Sequence, residues 1–346
     1  MILSLQYLRG IAALMVVYVH VAVQAPRVSG TPLPLTDLGS YGVDLFFVIS
    51  GIVMWVTTVD GRTSPISFMR KRIIRIAPLY WSLTLLVSFI ALVLPSLVYS
   101  TSFDLQHLVA SLGFIPWENP KFPGYFPVLI PGWTLNYEMM FYVLFAVALF
   151  LPAHWRLGAV LLALSGLTLL GVSGSVGGIL GYYTNPIVLE FGAGVLIGAL
   201  FTSNIALSRV IAGVVLSIGL VLFFSLGLLT SLPRVVVAGI PAALIVGGMV
   251  MLEKTKPVTE LPILRHIGDA SYSIYLTHII TLPIITKVWT VLHLDAQGWK
   301  IVPFYLVCLI GATVAGSIAY RFIEMPLNGL ARALWPEAKA RPAAIA

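Results

Sequence analysis

The 346-residue sequence predicts an all-α, polytopic transmembrane bundle of about ten spans with both termini on the cytoplasmic side. Three observations predict it. The chain is 59% hydrophobic and 10% charged, with a mean hydropathy of +1.00, whereas soluble domains carry about 25% charged residues. Apolar runs of roughly 20 residues, the length that crosses a bilayer, recur from one end to the other. Lysine and arginine are distributed unequally between the loops on the two sides.

In chain order the apolar runs predict spans at 5–23, 39–58, 73–95, 133–151, 157–171, 186–202, 210–228, 235–252, 270–290 and 301–321. Helices are required, because lipid-facing backbone must satisfy its own hydrogen bonds and the alternating strand pattern of a barrel is absent. The first run is followed by small residues (Val21–Ala25), as a secretory signal would be. With nine spans behind it, we read it as a retained first helix. Segment 96–132 is rich in proline and aromatic residues, and its apolar stretch 105–115 is too short to span; it is expected to dip into the interface or cap the bundle. The Gly/Ser-rich stretch Gly171–Gly181 lacks phosphate-loop spacing and is expected to be a flexible outer loop. One membrane domain over 1–326 and a short cytoplasmic tail over 327–346 account for the chain.

With the N-terminus inside, the inner side carries Arg9, Arg62, Arg70, Lys71, Arg72, Arg75, Arg156, Arg209, Lys254, Lys256, Arg265, Arg321, Arg332, Lys339 and Arg341. The outer side carries Arg27, Lys121, Arg234, Lys287 and Lys300. That positive-inside bias accounts for the net charge of +7 without nucleic acid as a partner. The single cysteine, Cys308, excludes an intrachain disulfide. No metal-ligand spacing, nucleophile-elbow motif or Walker motif is present.

Ionisable residues inside spans are costly and mark function by default. Arg9 and His20 are eleven residues apart, about 1,100° of helix, so they share one face with roughly 16 Å between them. Asp44 and Glu138, in spans that enter from the outside, fall at the depth of His20. A carboxylate beside that imidazole would raise its basicity and fix its tautomer. The alternatives are an interfacial His20 with a snorkelling Arg9, and structural hydrogen-bonding roles for Glu138 and Asp44. At the inner level, Arg72 and Arg75 share a face at the depth of Arg9. Three guanidinium groups suit a polyanion, or anionic lipid headgroups. His278, one turn after Tyr275, would contact substrate or hydrogen-bond within the bundle. Asp269 and Glu324 are explained by capping and by pairing with Arg321. The aromatic residues of 117–133 would stack on sugar rings or form an interfacial belt.

Five segments, collinear over about residues 3–326, resemble the acyltransferase family 3 membrane proteins. They are Leu5–His20 (with Arg9, ten residues, then His20), Gly42–Gly51, Phe68–Trp81, Trp133–Tyr142 and Ser271–His278. The Leu-Gln-Tyr-Leu-Arg and Trp-Thr-Leu-Asn-Tyr-Glu variants look most like exopolysaccharide O-acetyltransferases of the succinoglycan type. The resemblance implies an enzyme of a bacterial cytoplasmic membrane. It would move an acetyl group from cytoplasmic acetyl-CoA to a hydroxyl of a polysaccharide or its lipid-linked repeat unit, without a metal, among membrane lipids and polysaccharide assembly machinery. By motif position, Arg9, His20, Arg72, Arg75 and Glu138 carry over as functional residues. The expected catalytic set is His20, Glu138 and Asp44, the donor-binding set Arg9, Arg72 and Arg75, and the substrate contacts His278, Tyr275, Asn136 and Trp133. Two departures stand out. Met139 follows Glu138 where many relatives have a second acidic residue, and the soluble esterase-like domain of some relatives is missing, so the bundle is expected to perform the whole reaction. General-base attack and an acetyl-His20 intermediate fit the residues equally. The competing class is a membrane transporter of glycans or acyl groups, whose repeated halves and interrupted helices are not found here.

Overall fold

The computed structural model describes residues 2–33, 36–97, 101–205, 207–226, 232–294 and 296–337. Lys339 and Arg341, counted above in the tail, lie outside them. Fourteen α-helices make up the fold in the described residues. They are α1 Leu3–Gln24, α2 Gly42–Val56, α3 Pro65–Val93, α4 Leu105–Leu112, α5 Trp133–Ala148, α6 Ala153–Val172 and α7 Gly178–Tyr183. There follow α8 Leu189–Thr202, α9 Arg209–Leu226, α10 Ile240–Thr255, α11 Pro262–Asp269, α12 Ser271–Val291, α13 Ile301–Ala319 and α14 Met325–Leu334. Among the described residues there is no sheet, only one bridge between Glu118 and Tyr125.

Eight helical segments are long and apolar enough to cross a membrane, among them Leu3–Val28, Pro65–Val93 and Ser271–Val291. The expected fourth and sixth spans are helices too, but shorter. α5 has 16 residues and includes Glu138, and α8 has 14. Both are packed on several sides by other helices rather than placed at the rim. The expected interfacial stretch is α4, capped by Asp104, whose carboxylate accepts from the His107 backbone N–H at 2.6 Å. α4 closes over α3: the Trp81 indole donates to the Leu112 carbonyl at 2.8 Å, and Phe114 lies over the Tyr80 ring. The expected loop 171–181 is only partly a loop, since α6 runs to Val172 and α7 starts at Gly178. Beyond the expected domain limit, α14 folds back on α3, and Arg70 donates to the carbonyls of Trp335 and Arg332.

α1, α2, α5 and α12 form the middle of the bundle, while α6 and α9 lie at its rim with most of their side chains exposed. Lipid offers no hydrophobic drive between helices, so close backbone approach must supply the packing. One of the tightest seams is α2 against α8. A methyl group on Gly194 would stand 2.1 Å from the Val48 carbonyl oxygen, and one on Gly51 would stand 2.2 Å from that of Phe191. No side chain fits there. This contact keeps α2 in register, and with it Asp44 and Ser50. We expect Gly194→Val to lower the melting temperature of the detergent-purified protein by several degrees and its yield several-fold. Gly213→Ala, at a position where nothing stands within 4 Å, should be silent. Equal melting curves for the two variants would remove this seam from the account.

Candidate active site

The centre of the bundle encloses a cavity of about 110 Å³. Its wall combines Arg9 of α1, Ser50 of α2, Arg72 and Arg75 of α3, Thr134 and Glu138 of α5, and Tyr272 and Tyr275 of α12. Helix geometry explains the set: Arg72 and Arg75 are one turn apart, as are Thr134, Glu138 and Tyr142, so each group points one way. The three arginines expected at one level therefore do meet.

Their surroundings differ. Arg75 pairs with Glu324, which is fully buried and also accepts from the Ser273 hydroxyl at 2.6 Å. Its guanidinium lies over the Tyr272 ring at 5.6 Å. Glu324 thus serves Arg75 instead of the expected Arg321. Arg72 donates to the Thr57 hydroxyl at 3.0 Å and lies over the rings of Phe68 and Tyr142. Arg9 has no hydrogen bond or ion-pair partner among the described residues, and the charges that act on it are Arg75, Glu138 and Glu324. Glu138 is held in place by two donors on one oxygen, the Ser50 hydroxyl at 3.1 Å and the Tyr142 hydroxyl. The wall therefore carries three cations against the carboxylates of Glu138 and Glu324, a surplus of one positive charge, and one guanidinium without a partner. In a low-dielectric interior an unpaired guanidinium is expensive, and an anion in the cavity would relieve that cost.

The cavity leads to a second polar group. The hydroxyl of Tyr275 on its wall donates to the Pro131 carbonyl and shares a hydrogen bond with the Thr134 hydroxyl, both at 2.9 Å. Its ring centroid lies 6.0 Å from that of His278. His278 meets His20 edge to face, with centroids 4.6 Å apart. His278 is fully buried, and among the described residues neither ring nitrogen makes a well-formed hydrogen bond. His20 makes one bond, from Nδ1 to the Val16 carbonyl at 2.8 Å. A carbonyl can only accept, so Nδ1 carries the proton and Nε2 keeps its lone pair. The tautomer that a base requires is thus fixed by the backbone one turn earlier, and no carboxylate is needed for it.

The three ionisable residues expected together at one depth are separated by their partners. His20 is on His278, Glu138 is on Ser50 and Tyr142, and Asp44 is elsewhere. Asp44 is fully buried, accepts twice from Arg234 (2.6 and 3.1 Å), and is absent from the cavity wall. Glu190 of α8 lies buried beside this pair. Sequence reasoning missed Glu190, although an acidic residue within a span was signal enough. It also took Arg234 for a loop charge. Asn136 is buried, and Trp133 faces a separate cleft. Among the described residues no group of three or more His, Cys, Asp or Glu is placed to hold a metal.

An apolar all-helical bundle with a charged internal cavity defines a multi-pass membrane protein, and comparison with known proteins supplies its chemistry. The acyltransferase family 3, described as an acyltransferase domain, matches residues 2–321, and the chain belongs to it. It is 35% identical over 303 residues, 86% of its own length and 92% of the relative's, to the exopolysaccharide production protein ExoZ of Rhizobium meliloti (strain 1021). It is 34% identical over 153 residues, 41% of its length and 38% of the relative's, to the acyltransferase MdmB of Streptomyces mycarofaciens. No solved structure gives a significant match. The protein is thus a membrane acyltransferase.

The Asp44–Arg234 pair gives a sharp expectation. Removing one member of a buried pair costs about 3–5 kcal/mol, and the lower end applies because the Arg234 side chain is 38% exposed. Asp44→Leu should therefore destabilise the purified protein strongly, and the double variant Asp44→Leu/Arg234→Leu should recover most of the loss in thermal melts. Strictly additive effects of the two substitutions would show that the pair does not couple α2 to the segment before α10.

Proposed function

We propose that the protein transfers an acetyl group from cytoplasmic acetyl-CoA to a hydroxyl of an exopolysaccharide or of its lipid-linked repeat unit. The observation that carries this reading is the arginine-lined cavity, whose wall residue Tyr275 neighbours the His278–His20 pair. The similarity to a protein named for exopolysaccharide production supports the acceptor class.

The topology follows from the positive-inside bias of 15 basic residues to 5. In our reading the chain crosses a bacterial cytoplasmic membrane ten times, α5 and α8 being the short crossings, with both termini inside. Residues 1–326 form the catalytic domain and the remainder a cytoplasmic tail. Arg9, Arg72 and Arg75 then guard the cytoplasmic mouth, and His20 lies towards the outside. A cavity of about 110 Å³ is too small for a nucleotide. The phosphates of the donor stay at the mouth on the guanidinium groups, which bind phosphate oxygens in pairs, and the pantetheine arm carries the thioester inward. Glu138, anchored by Ser50 and Tyr142, keeps the cationic wall in place and holds its surplus charge low enough for the product to leave.

At the other end of the path, His20 Nε2 accepts the proton of the acceptor hydroxyl as its oxygen bonds to the acetyl carbonyl carbon. The carbon–sulfur bond breaks, and the CoA thiolate departs and takes up the proton from His20. Imidazolium at His20 is stabilised by the Val16 carbonyl and by the neighbouring unprotonated ring of His278. Asp44 acts on the bundle through Arg234, and Asn136 supports the helix that carries Glu138.

The test uses protein reconstituted in nanodiscs, radiolabelled acetyl-CoA, and the alkali-deacetylated extracellular polysaccharide of the strain that carries the gene. His20→Ala should lower kcat by about 10²–10⁴-fold, the usual contribution of a general base, with little change in either KM. Arg9→Ala should raise the KM for acetyl-CoA at least tenfold. A His20→Ala variant that acetylates at the wild-type rate would refute the assigned base, and an unaltered acetyl-CoA KM in Arg9→Ala would return the arginines to a lipid-anchoring role.

A further inference from the structure

A second cavity, of about 570 Å³, opens on the opposite flank of α5 from the arginine cavity. Its volume is within the roughly 300–1,000 Å³ typical of ligand pockets. Trp133 and Tyr137 of α5 form one wall, Tyr125 and Phe126 a second, and Tyr182 of α7 with the end of α6 the third. None of its lining residues is charged. The contrast with the arginine cavity is direct: one site suits an anion, and the other excludes charge and offers ring faces.

The rings are rigid. Tyr137 and Tyr182 stack at 4.5 Å with 19° between their planes, and Trp133 meets Tyr137 edge to face at 6.0 Å. Tyr125 meets Tyr182 at 5.9 Å. The hydroxyls that could let these rings swing are tied down: Tyr182 donates to the Trp133 carbonyl at 2.9 Å, and Tyr137 donates to the Tyr182 carbonyl at 2.7 Å. Gly171 lets the end of α6 close directly on Thr184, where a methyl group would stand 2.5 Å from the Thr184 carbonyl oxygen. Thr184 and Asn185 add polar groups at the rim. Ordered aromatic faces, no charge and a few polar groups match a pyranose ring, which presents a patch of C–H bonds on its face and hydroxyls around its edge.

Position adds a second argument. Trp133 is next in sequence to Thr134, whose hydroxyl bonds Tyr275, and Tyr275 neighbours His278. The aromatic cleft and the histidine pair thus lie on either side of one wall at the N-terminal end of α5. We infer that this cleft binds a neutral sugar ring of the acceptor glycan and holds the chain while another of its hydroxyls reaches His20. The inference rests on the function proposed above. It gives Trp133 a partner class and brings in Tyr125 from the aromatic run, Tyr137 of α5 and Tyr182, which no motif singled out.

The experiment has a binding arm and a catalytic arm. The deacetylated polysaccharide of the parent strain, fluorescently labelled, is titrated with nanodisc-held protein and followed by anisotropy. Acetylation is measured in parallel with radiolabelled acetyl-CoA. Tyr125→Ala and Trp133→Ala should each weaken glycan binding at least tenfold and raise the acceptor KM to match, with the acetyl-CoA KM unchanged. Tyr182→Phe, which keeps the ring, should bind within about threefold of wild type. Wild-type affinity in Tyr125→Ala and Trp133→Ala would overturn the inference while leaving the transferase reading intact. Glycan binding without acetylation by the wild-type protein would overturn the transferase reading and spare the cleft. Displacement of labelled phospholipid, rather than glycan, by these substitutions would mark the cleft as a lipid site and overturn the inference.

Discussion

Charge buried in an apolar bundle has to be matched, and that requirement organises most of what is polar in this protein. A guanidinium removed from water loses far more than a neutral group does, and recovers it only through carboxylates, hydrogen bonds or a polar cavity. Arg234 recovers it through Asp44 and Arg75 through Glu324. Arg72 has the Thr57 hydroxyl and two aromatic faces. Arg9 has no bonded partner among the described residues and faces the cavity. Its unmatched charge is the reason the space beside it suits an anion, and the place where donor binding would release the most electrostatic strain. The α2–α8 glycine seam, the Ser50–Glu138–Tyr142 anchor and the fold-back of α14 on α3 all act to keep that wall in one arrangement.

The two histidines follow a different logic. One is tied to a backbone carbonyl, and the other has no well-formed hydrogen bond to either ring nitrogen among the described residues. His278 is the more telling, since a fully buried imidazole without partners is costly unless something else completes it. In the proposed reaction that partner is the acceptor or the imidazolium of His20. On the far face of the same wall, the aromatic cleft has neither charge nor a histidine. α5 thereby separates the charged cavity from the uncharged aromatic cleft, which the proposed function assigns to donor and acceptor, and its N-terminal end touches both.

Much of this could be read from the sequence because charge inside an apolar run is conspicuous. Arg9, Arg72, Arg75, His20 and Glu138 stood out for that reason, and helix rise placed them in depth. Depth alone does not say which way a side chain points or what faces it. Asp44 was assigned to the depth of His20, yet its partner is Arg234, 190 residues later in the chain, a pairing that only tertiary structure reveals. Glu324 was paired with its neighbour Arg321 because helical spacing favours local partners, whereas the fold brings Arg75 closer. The tautomer of His20 was credited to a carboxylate and belongs to Val16. The cleft was half-visible: the aromatic run 117–133 was noticed, but Tyr182 comes from a Gly/Ser-flanked segment that reads as loop, and no period links the two.

The central claim is that the acyl donor runs from the arginine-lined cavity past Tyr275 towards the histidine pair. A cryo-electron microscopy structure of the nanodisc-held protein with a non-hydrolysable thioether analogue of acetyl-CoA tests it most directly. The account predicts density for the diphosphate against Arg9 and Arg72, and for the thioether arm running past Glu138 to Tyr275, ending at His278 and His20. Analogue bound on the outside of the bundle, or a cavity filled by lipid with the analogue absent, would contradict it.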